Sequence, residues 1–279
     1  MKTFVIAGKS DIAVEALLYL VFFDGGYTRD FELAVLPSAS DLKEHGWQKS
    51  LRKAAGELGI SVHTSFRSLE ERYDRDSTYI FSLEYDRLIK SASFPKKNLF
   101  NIHFSALPMY RGVYTSIFPI LKGERTSGVT LHYIDDGIDT GPIISQRLFS
   151  IEGMTAWDLY KKYNSEGVRL FIENYKYVTS AKEVSSSDQN GGWSCFYRKD
   201  LDFELRRLDA IYPNMSALEI DRHFRGFFFP VYQMPLYRGK SVTSLSIIDE
   251  ERLEPPRELF GCNDYVLLAC KRGVVLLSF

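Results

Sequence analysis

The chain has 279 residues, with 35 lysines and arginines against 36 aspartates and glutamates, so its formal net charge is −1. This balance argues against a broad nucleic-acid-binding surface, because such a surface needs an excess of basic residues. The three cysteines have no C-x-x-C spacing, so neither a disulfide framework nor a zinc site is indicated. The longest apolar run, residues 12–23, contains Glu15 and is too short to span a bilayer. We therefore expect a soluble cytoplasmic protein with no metal and with neither nucleic acid nor a membrane as partner.

The first half of the chain alternates strand-like and helix-like segments. Apolar or amphipathic runs predict helices, and short β-rich runs predict strands; the helices are at residues 12–23 and 42–58, and the strands at residues 3–7, 31–36, 60–63, 78–81 and 99–103. This alternation predicts an α/β fold with a mostly parallel sheet and helices on its faces. Ligands of such sheets bind in the loops at the carboxyl ends of the strands.

The second half has a different organisation. Strand-like runs at residues 129–134 and 143–149 flank a loop rich in aspartate and glycine, and a long helix begins at Thr155. Residues 181–192 contain almost nothing to bury and predict a linker. We therefore expect an N-terminal domain at residues 1–180 and a smaller C-terminal domain, rich in β-structure, at residues 193–279. The last two apolar runs, around residues 271–273, predict a hairpin.

Two segments carry residues suited to chemistry, namely NIHFSALPMYRG from Asn101 and DDGIDTGPI from Asp135. Asn101 and His103 are two positions apart on a predicted strand, so both side chains project to the same side. One of the aspartates can fold back against His103. The residues alone also allow a second interpretation, in which the histidine and asparagine are satisfied core groups and the aspartates form turns. A metal site is disfavoured because there is no His-x-His or His-x-x-Glu spacing.

Together these segments resemble the formyltransferase family that uses N10-formyltetrahydrofolate, which includes methionyl-tRNA, glycinamide ribonucleotide and amino-sugar formyltransferases. The family pattern is an Asn-x-His strand end, a Ser-x-Leu-Pro-x-Tyr-x-Gly loop and an Asp-x-Gly-x-Asp-x-Gly loop, and every member is present here, with His103 and Asp139 36 residues apart. The resemblance covers roughly residues 1–178. It implies a Rossmann-like formyltransferase domain, with N10-formyltetrahydrofolate as co-substrate.

The resemblance implies a catalytic role for Asn101, His103 and Asp139. In formyl transfer an amine attacks the formyl carbon, which creates an oxyanion and a nitrogen that must lose a proton. Asn101 would donate a hydrogen bond to the oxyanion. His103 would transfer a proton or stabilise the oxyanion, and Asp139 would orient His103. Which of the three accepts the proton stays open.

The resemblance also places the pterin ring of the folate between two loops, whose backbone would bind its edges. The predicted folate-binding residues are Ser82, Leu83, Glu84, Tyr85, Asp135, Asp136, Gly137 and Ile138. For Leu83 and Tyr85 the alternative is plain core packing. The loop at Gly8 lacks the G-x-G-x-x-G pattern, which argues against a dinucleotide cofactor.

The resemblance leaves three classes of acceptor amine open. A tRNA acceptor would call for a larger, basic C-terminal domain, and glycinamide ribonucleotide for a chain ending near residue 200. The segments at residues 81–89, 114–121 and 224–235 look like those of sugar N-formyltransferases of O-antigen pathways. We therefore favour a nucleotide-linked amino sugar, first dTDP-4-amino-4,6-dideoxyglucose and then a 3-amino isomer. Two further alternatives are a non-catalytic binding homologue and a formyltetrahydrofolate hydrolase, which usually carries an additional N-terminal domain.

The predicted acceptor site combines the loop after His103 with the aromatic segment at residues 224–235. Its residues are Ser105, Met109, Tyr110, Arg111, Tyr114, Arg225, Phe229 and Tyr232. Aromatic rings would stack on the base and Arg225 would bind the diphosphate, with hydrophobic packing as the alternative. The other four histidines have no identifiable partner and are expected to be structural or on the surface. We expect a homodimer, with the C-terminal domain binding the sugar nucleotide or joining the subunits.

Overall fold

The computed structural model describes residues 1–89, 92–181 and 183–279. It forms two compact units. The first contains Met1–Gly112, Gly128–Phe149 and Lys162–Cys195, and the second contains Val113–Ser127, Ser150–Lys161 and Phe196–Phe279. The division predicted at residues 180 and 193 stays a prediction, and residue 182 of the predicted linker lies outside the described residues.

The α-helices of the described chain are, in order, α1 (Ser10–Phe22), α2 (Leu51–Glu57), α3 (Phe66–Arg72), α4 (Phe118–Leu121), α5 (Ala156–Ser180), α6 (Leu208–Ile211) and α7 (Ala217–Phe227). The strands are β1 (Lys2–Gly8), β2 (Phe31–Pro37), β3 (Ser61–Val62), β4 (Thr78–Leu83), β5 (Leu99–His103), β6 (Arg111–Gly112), β7 (Thr126–Tyr133), β8 (Ile143–Ser150), β9 (Cys195–Phe196), β10 (Leu236–Tyr237), β11 (Lys240–Ser241), β12 (Ser244–Asp249), β13 (Arg257–Gly261), β14 (Tyr265–Ala269) and β15 (Val274–Ser278).

The first unit is built on a seven-stranded sheet with the order β3-β2-β1-β4-β5-β7-β8. Strands β1 to β5 pair in parallel, and β7 is antiparallel to β5. The mostly parallel sheet predicted from the sequence is therefore confirmed. The central strands are apolar runs that are buried on both faces, as parallel sheets require. At the end of β1, a Cβ on Gly8 would lie 1.9 Å from the carbonyl oxygen of Leu83, so glycine permits this close approach of two strand ends.

The helix predicted at residues 42–58 is wrong in its first half, because helix α2 begins only at Leu51. Ser50 caps the helix by accepting a hydrogen bond from the amide of Lys53 at 3.1 Å. The buried carboxylate of Asp41 accepts from the amides of Leu51 and Arg52 at 2.8 and 3.2 Å. These side chains bind the amides of the first helical turn, which have no partner within the helix. The helix therefore begins at Leu51, with Ser50 as its cap.

The second unit contains a four-stranded sheet with the order β12-β15-β14-β13, in which all neighbours are antiparallel. The predicted terminal hairpin is confirmed, since β14 and β15 pair from Ala269 opposite Val274. Helix α7 begins with a capping box between Ser216 and Glu219, and it contributes the fully buried Ile220 to a hydrophobic core shared with the sheet. The expectation of a C-terminal region rich in β-structure is confirmed.

Candidate active site

Strand β5 ends with Asn101 and His103 at the centre of the first sheet. Its parallel neighbour β4 places Ser82 opposite Asn101, and its antiparallel neighbour β7 places His132 opposite the same residue. His103 is buried, with 8% of its surface exposed. The polar pair therefore lies at the carboxyl end of β5, flanked by polar side chains of both adjacent strands.

The loop after β7 carries Asp139 to this strand end. The Oδ2 atom of Asp139 lies 3.5 Å from Nδ1 of His103 and accepts a hydrogen bond from the amide of Gly112 at 2.9 Å. Its Oδ1 atom lies 3.4 Å from Nδ2 of Asn101. Asp139 has φ +53°, in the left-handed region that short polar residues tolerate. The structure thus brings together all three residues predicted to carry the chemistry.

The two ring nitrogens of His103 lie next to two different oxygen atoms. Its Nε2 atom lies 2.9 Å from the carbonyl oxygen of Tyr110. A carbonyl oxygen only accepts, so Nε2 carries the hydrogen. The other ring nitrogen, Nδ1, faces the carboxylate of Asp139, so each ring nitrogen has an oxygen neighbour. At 3.5 Å the contact between Nδ1 and Asp139 is longer than an ordinary hydrogen bond.

His132 belongs to the site, although the sequence pattern indicated no partner for it. Nδ2 of Asn101 donates to Nε2 of His132 at 3.0 Å, and Nδ1 of His132 donates to the carbonyl oxygen of Tyr133 at 2.8 Å. These two bonds require a neutral ring with its hydrogen on Nδ1. Burial lowers the pKa of His132 from 6.5 to about 4, although the carboxylate of Asp139 opposes this shift. His132 is therefore a fixed acceptor that sets the amide plane of Asn101, and only the pairing of β7 beside β5 reveals it.

The predicted linker also contributes to the site. The side chain of Gln189 donates to the carbonyl oxygens of Asp139 and Gly141 at 2.8 and 2.7 Å. Its Oε1 atom accepts two hydrogen bonds from Arg111, at 3.0 and 2.7 Å. Ser194, which follows the predicted linker, accepts at its hydroxyl from the amide of Tyr110 at 2.8 Å. A polar segment with little to bury thus folds onto the loops that carry Tyr110 and Asp139, and composition alone contained no signal for this.

Several predicted acceptor residues of the first unit have structural partners. Arg111 is buried at 8% exposure, and its guanidinium lies 5.6 Å from the ring centroid of Trp193. Ser105 is fully buried and donates to the carbonyl oxygen of Met109 at 2.7 Å. The side chain of Met109 is 39% exposed and remains accessible to a ligand.

The predicted folate-binding residues lie at the end of β4 and in the loops after β4 and β7. Ser82 and Leu83 are buried at the end of β4. Tyr85 packs against Phe66 with ring centroids 5.8 Å apart, in agreement with the packing alternative.

Asp135 organises the loop after β7. It accepts from the amide of Gly137 at 3.1 Å and from the hydroxyl of Thr140 at 2.7 Å. Asp136 pairs with Lys96 at 3.2 Å, and Ile138 is partly buried.

The remaining predicted acceptor residues lie in the second unit. Arg225 donates to Asp221 at 2.7 Å and to the carbonyl oxygen of Met154 at 3.2 Å. The ring of Phe229 packs on that of Trp157, with centroids 4.9 Å apart. The ring of Tyr114 packs edge-on against that of Phe203, with centroids 5.8 Å apart. Tyr232 is 74% exposed. Arg225 and Phe229 therefore have structural contacts of their own, whereas the ring of Tyr232 is accessible to a ligand.

No group of three histidine, cysteine, aspartate or glutamate side chains within the described ranges is placed to hold a metal ion. No helix of the described chain combines the length and apolar character needed to cross a bilayer.

Comparison with known proteins gives consistent matches. The family model for formyl transferases matches residues 70–174. The chain is similar to the crystal structure of an N-formyltransferase from Helicobacter canadensis in complex with folinic acid and dTDP-3-aminofucose, with 36% identity, a TM-score of 0.85, and coverage of 100% of this chain and 99% of that chain.

Two relatives differ in the acceptors that their names state. GDP-perosamine N-formyltransferase of Brucella melitensis is 27% identical over 208 residues, which cover 72% of this chain and 76% of the relative. Methionyl-tRNA formyltransferase of Caulobacter vibrioides is 30% identical over 233 residues, which cover 79% of this chain and 73% of the relative. With the site geometry and identities of 30% or more over most of two known proteins, this chain belongs to the formyltransferase family.

Proposed function

We propose that this protein transfers the formyl group of N10-formyltetrahydrofolate to the amine of a nucleotide-linked amino-dideoxy sugar. The observation that carries the proposal is the meeting of Asn101, His103 and Asp139 at the carboxyl end of β5, with contacts of 3.4 and 3.5 Å to the aspartate. The site therefore holds an amide donor, an imidazole and a carboxylate side by side.

The amine nitrogen forms a bond to the formyl carbon, and the carbonyl oxygen becomes an oxyanion. Nδ2 of Asn101 is the proposed donor to this oxyanion. Its bond to His132 is shorter, 3.0 Å against 3.4 Å to Asp139, so the contact with Asp139 gives way while His132 keeps the amide in place. A preorganised donor of this kind contributes about 2.7–4 kcal/mol to transition-state stabilisation.

His103 and Asp139 divide the remaining work. With Nε2–H held by the carbonyl of Tyr110, Nδ1 becomes a second donor to the oxyanion once the ring takes up a second proton. We assign the proton lost by the amine to Asp139, directly or through water. As the intermediate collapses, the bond from the formyl carbon to N10 breaks, and N10 takes up the proton that Asp139 received, directly or through water. This completes the balance, with tetrahydrofolate and the formamide as products.

The folate would lie between the loops after β4 and β7. Strands β4 and β5 are in register from Ser82 opposite Asn101, so the loop after β4 emerges beside the catalytic strand end. The loop after β7 carries Asp139 to the same strand end. Both loops therefore adjoin the reacting groups, which fits a pterin bound by their backbone atoms.

For the acceptor we propose a dTDP-linked 3-amino-dideoxy sugar, because the relative from Helicobacter canadensis is similar over the full chain and was crystallised with dTDP-3-aminofucose. This reverses the order of preference drawn from the sequence, in which dTDP-4-amino-4,6-dideoxyglucose came first. A role in O-antigen or other surface polysaccharide synthesis, a cytoplasmic location and a homodimeric state belong to the same proposal. Methionyl-tRNA is the alternative acceptor, supported by the relative from Caulobacter vibrioides.

A competition assay tests the proposal. Purified protein and N10-formyltetrahydrofolate are combined with dTDP-3-amino, dTDP-4-amino and GDP-4-amino sugars and with methionyl-tRNA, and formylated products are quantified by mass spectrometry. The expected result is the highest kcat/KM with a dTDP-linked amino sugar, and a kcat at least ~100-fold lower in His103→Asn. A preference for methionyl-tRNA would overturn the acceptor, and no formylated product from any acceptor would overturn the activity.

A further inference from the structure

The segment of residues 187–194, here called the return segment, joins two loops of the active site. Ser187 exchanges a pair of backbone hydrogen bonds with Ile143, at 2.7 and 2.8 Å, next to the loop that carries Asp139. At its other end, Ser194 accepts from the amides of Tyr110 and Arg111, both at 2.8 Å. The return segment thus contacts the peptide that binds His103 and also the strand that follows the Asp139 loop.

Gln189 lies in the middle of the return segment and uses every part of its amide group. Both of its bonds as donor go to carbonyl oxygens on either side of residue 140, those of Asp139 and Gly141. Its oxygen accepts two hydrogen bonds from the buried guanidinium of Arg111. An amide with two donor hydrogens and one oxygen is fully used by these four bonds.

The main chain of Asp139 has a strained conformation that needs hydrogen bonds to hold it. Its φ of +53° is a conformation that costs free energy for a residue with a side chain, so contacts around it must maintain it. The Gln189 bonds hold the carbonyl of this same residue, whereas the carboxylate is held by the amide of Gly112 at 2.9 Å. Arg111, the residue before Gly112, is the other partner of Gln189. One side chain therefore fixes both the backbone of Asp139 and the chain that supplies its carboxylate contact.

We propose that Gln189 is a positioning residue for formyl transfer, which keeps the carboxylate of Asp139 in its catalytic place. This inference rests on the proposed function for its kinetic test. A displacement of about 1 Å at a catalytic group can cost a hundredfold in rate. We therefore expect Gln189→Met, which has a similar shape and no amide, to lower kcat by roughly 10- to 100-fold, with little change in KM for the sugar nucleotide.

Two further variants separate this role from general stability. Gln189→Glu keeps an oxygen for Arg111 but places a carboxylate oxygen against the two loop carbonyls, so it should be at least as impaired as Gln189→Met. Asn190→Ala changes the exposed neighbour in the same segment and should have normal kinetics. Because Gln189 acts through Asp139, adding Gln189→Met to Asp139→Asn should reduce kcat by less than about threefold further. Full activity in Gln189→Glu, or a lower Tm with unchanged kcat in Gln189→Met, would overturn the proposal.

Amide hydrogen exchange gives a readout that does not depend on the acceptor. The amide of Gly112 donates to Asp139, so its exchange reports the position of that carboxylate. We expect this amide to exchange at least about tenfold faster in Gln189→Met than in Asn190→Ala. Equal exchange in both variants would overturn the inference about Gln189. A wild-type enzyme that formylates no acceptor, with the expected exchange difference present, would instead count against the proposed function alone.

Discussion

The neutrality of His132 predicts a specific acid sensitivity of the fold. The ring is 2% exposed, accepts from Asn101 at one nitrogen and donates to a carbonyl at the other, so a second proton would break the bond with Asn101. Its pKa falls from 6.5 to about 4 in the folded chain. Between these values the unfolded chain binds the proton and the native chain does not, so stability decreases as the pH falls through this window.

The magnitude follows from the size of the shift. Each pKa unit corresponds to 1.36 kcal/mol, so a decrease from 6.5 to about 4 corresponds to ~3 kcal/mol, nearly all of it lost by pH 4. Burial also lowers the pKa of His63 and His223, so the stability that these two groups contribute also decreases as the pH falls. The variant His132→Gln retains both of these groups. Glutamine also offers an oxygen acceptor to Asn101, and it does not titrate.

The assay is urea unfolding of wild type and His132→Gln from pH 7.5 to 4.5, followed by circular dichroism. The unfolding free energy of the wild type should exceed that of the variant by a constant amount above pH 7. This difference should shrink by ~2.5 kcal/mol at pH 4.5. Parallel curves across the whole range would refute the conclusion that His132 is held neutral by the fold.

Four further predictions concern residues in and around the site. Asp139→Asn and His103→Asn should each lower kcat by at least ~100-fold, and their double mutant should lose far less than the product of the two losses. Gly141→Ala would place a Cβ 1.8 Å from a carbonyl oxygen of β7, so we expect an unfolding free energy lower by about 1–3 kcal/mol and a raised KM for the folate. Arg225→Ala should lower the unfolding free energy by about 1–3 kcal/mol with normal kinetics, because its guanidinium is already paired. Tyr232→Ala should instead leave Tm unchanged and raise KM for the sugar nucleotide roughly 2- to 12-fold if its exposed ring stacks on the base; an unchanged KM would remove it from the acceptor site.

The parts of the site that the sequence predicted are those encoded by local pattern. Asn101 and His103 share one face of a strand because side chains alternate, and this holds wherever the strand lies in the sheet. The closeness of Asp139 followed from the paired motifs of the family. Neither argument needed the tertiary neighbours of these residues.

The residues that the sequence missed act through neighbours that are distant along the chain. His132 contacts Asn101 because β7 runs antiparallel beside β5, and the order of strands in a sheet is not encoded by their periodicity. Gln189 lies in a segment whose polar composition is typical of a linker. Its amide nevertheless binds the carbonyl oxygens of Asp139 and Gly141 and the buried guanidinium of Arg111, which is 78 residues away along the chain. The helix expected from residue 42 begins later for a local reason, since Ser50 and the nearby Asp41 bind the free amides of its first turn.

The central claim is that a formyl carbon passes from the folate to the amine of a sugar nucleotide at this site. A single-turnover reaction with N10-formyltetrahydrofolate labelled with ¹³C in the formyl group, followed by ¹³C NMR, tests it most directly. We predict that the label appears in a formamide on the dTDP-linked amino sugar, with one tetrahydrofolate released per formamide formed. His103→Asn should slow this transfer by at least ~100-fold. Label recovered as free formate would show that water is the acceptor, and label retained on the folate in the presence of every amino sugar would contradict the transfer itself.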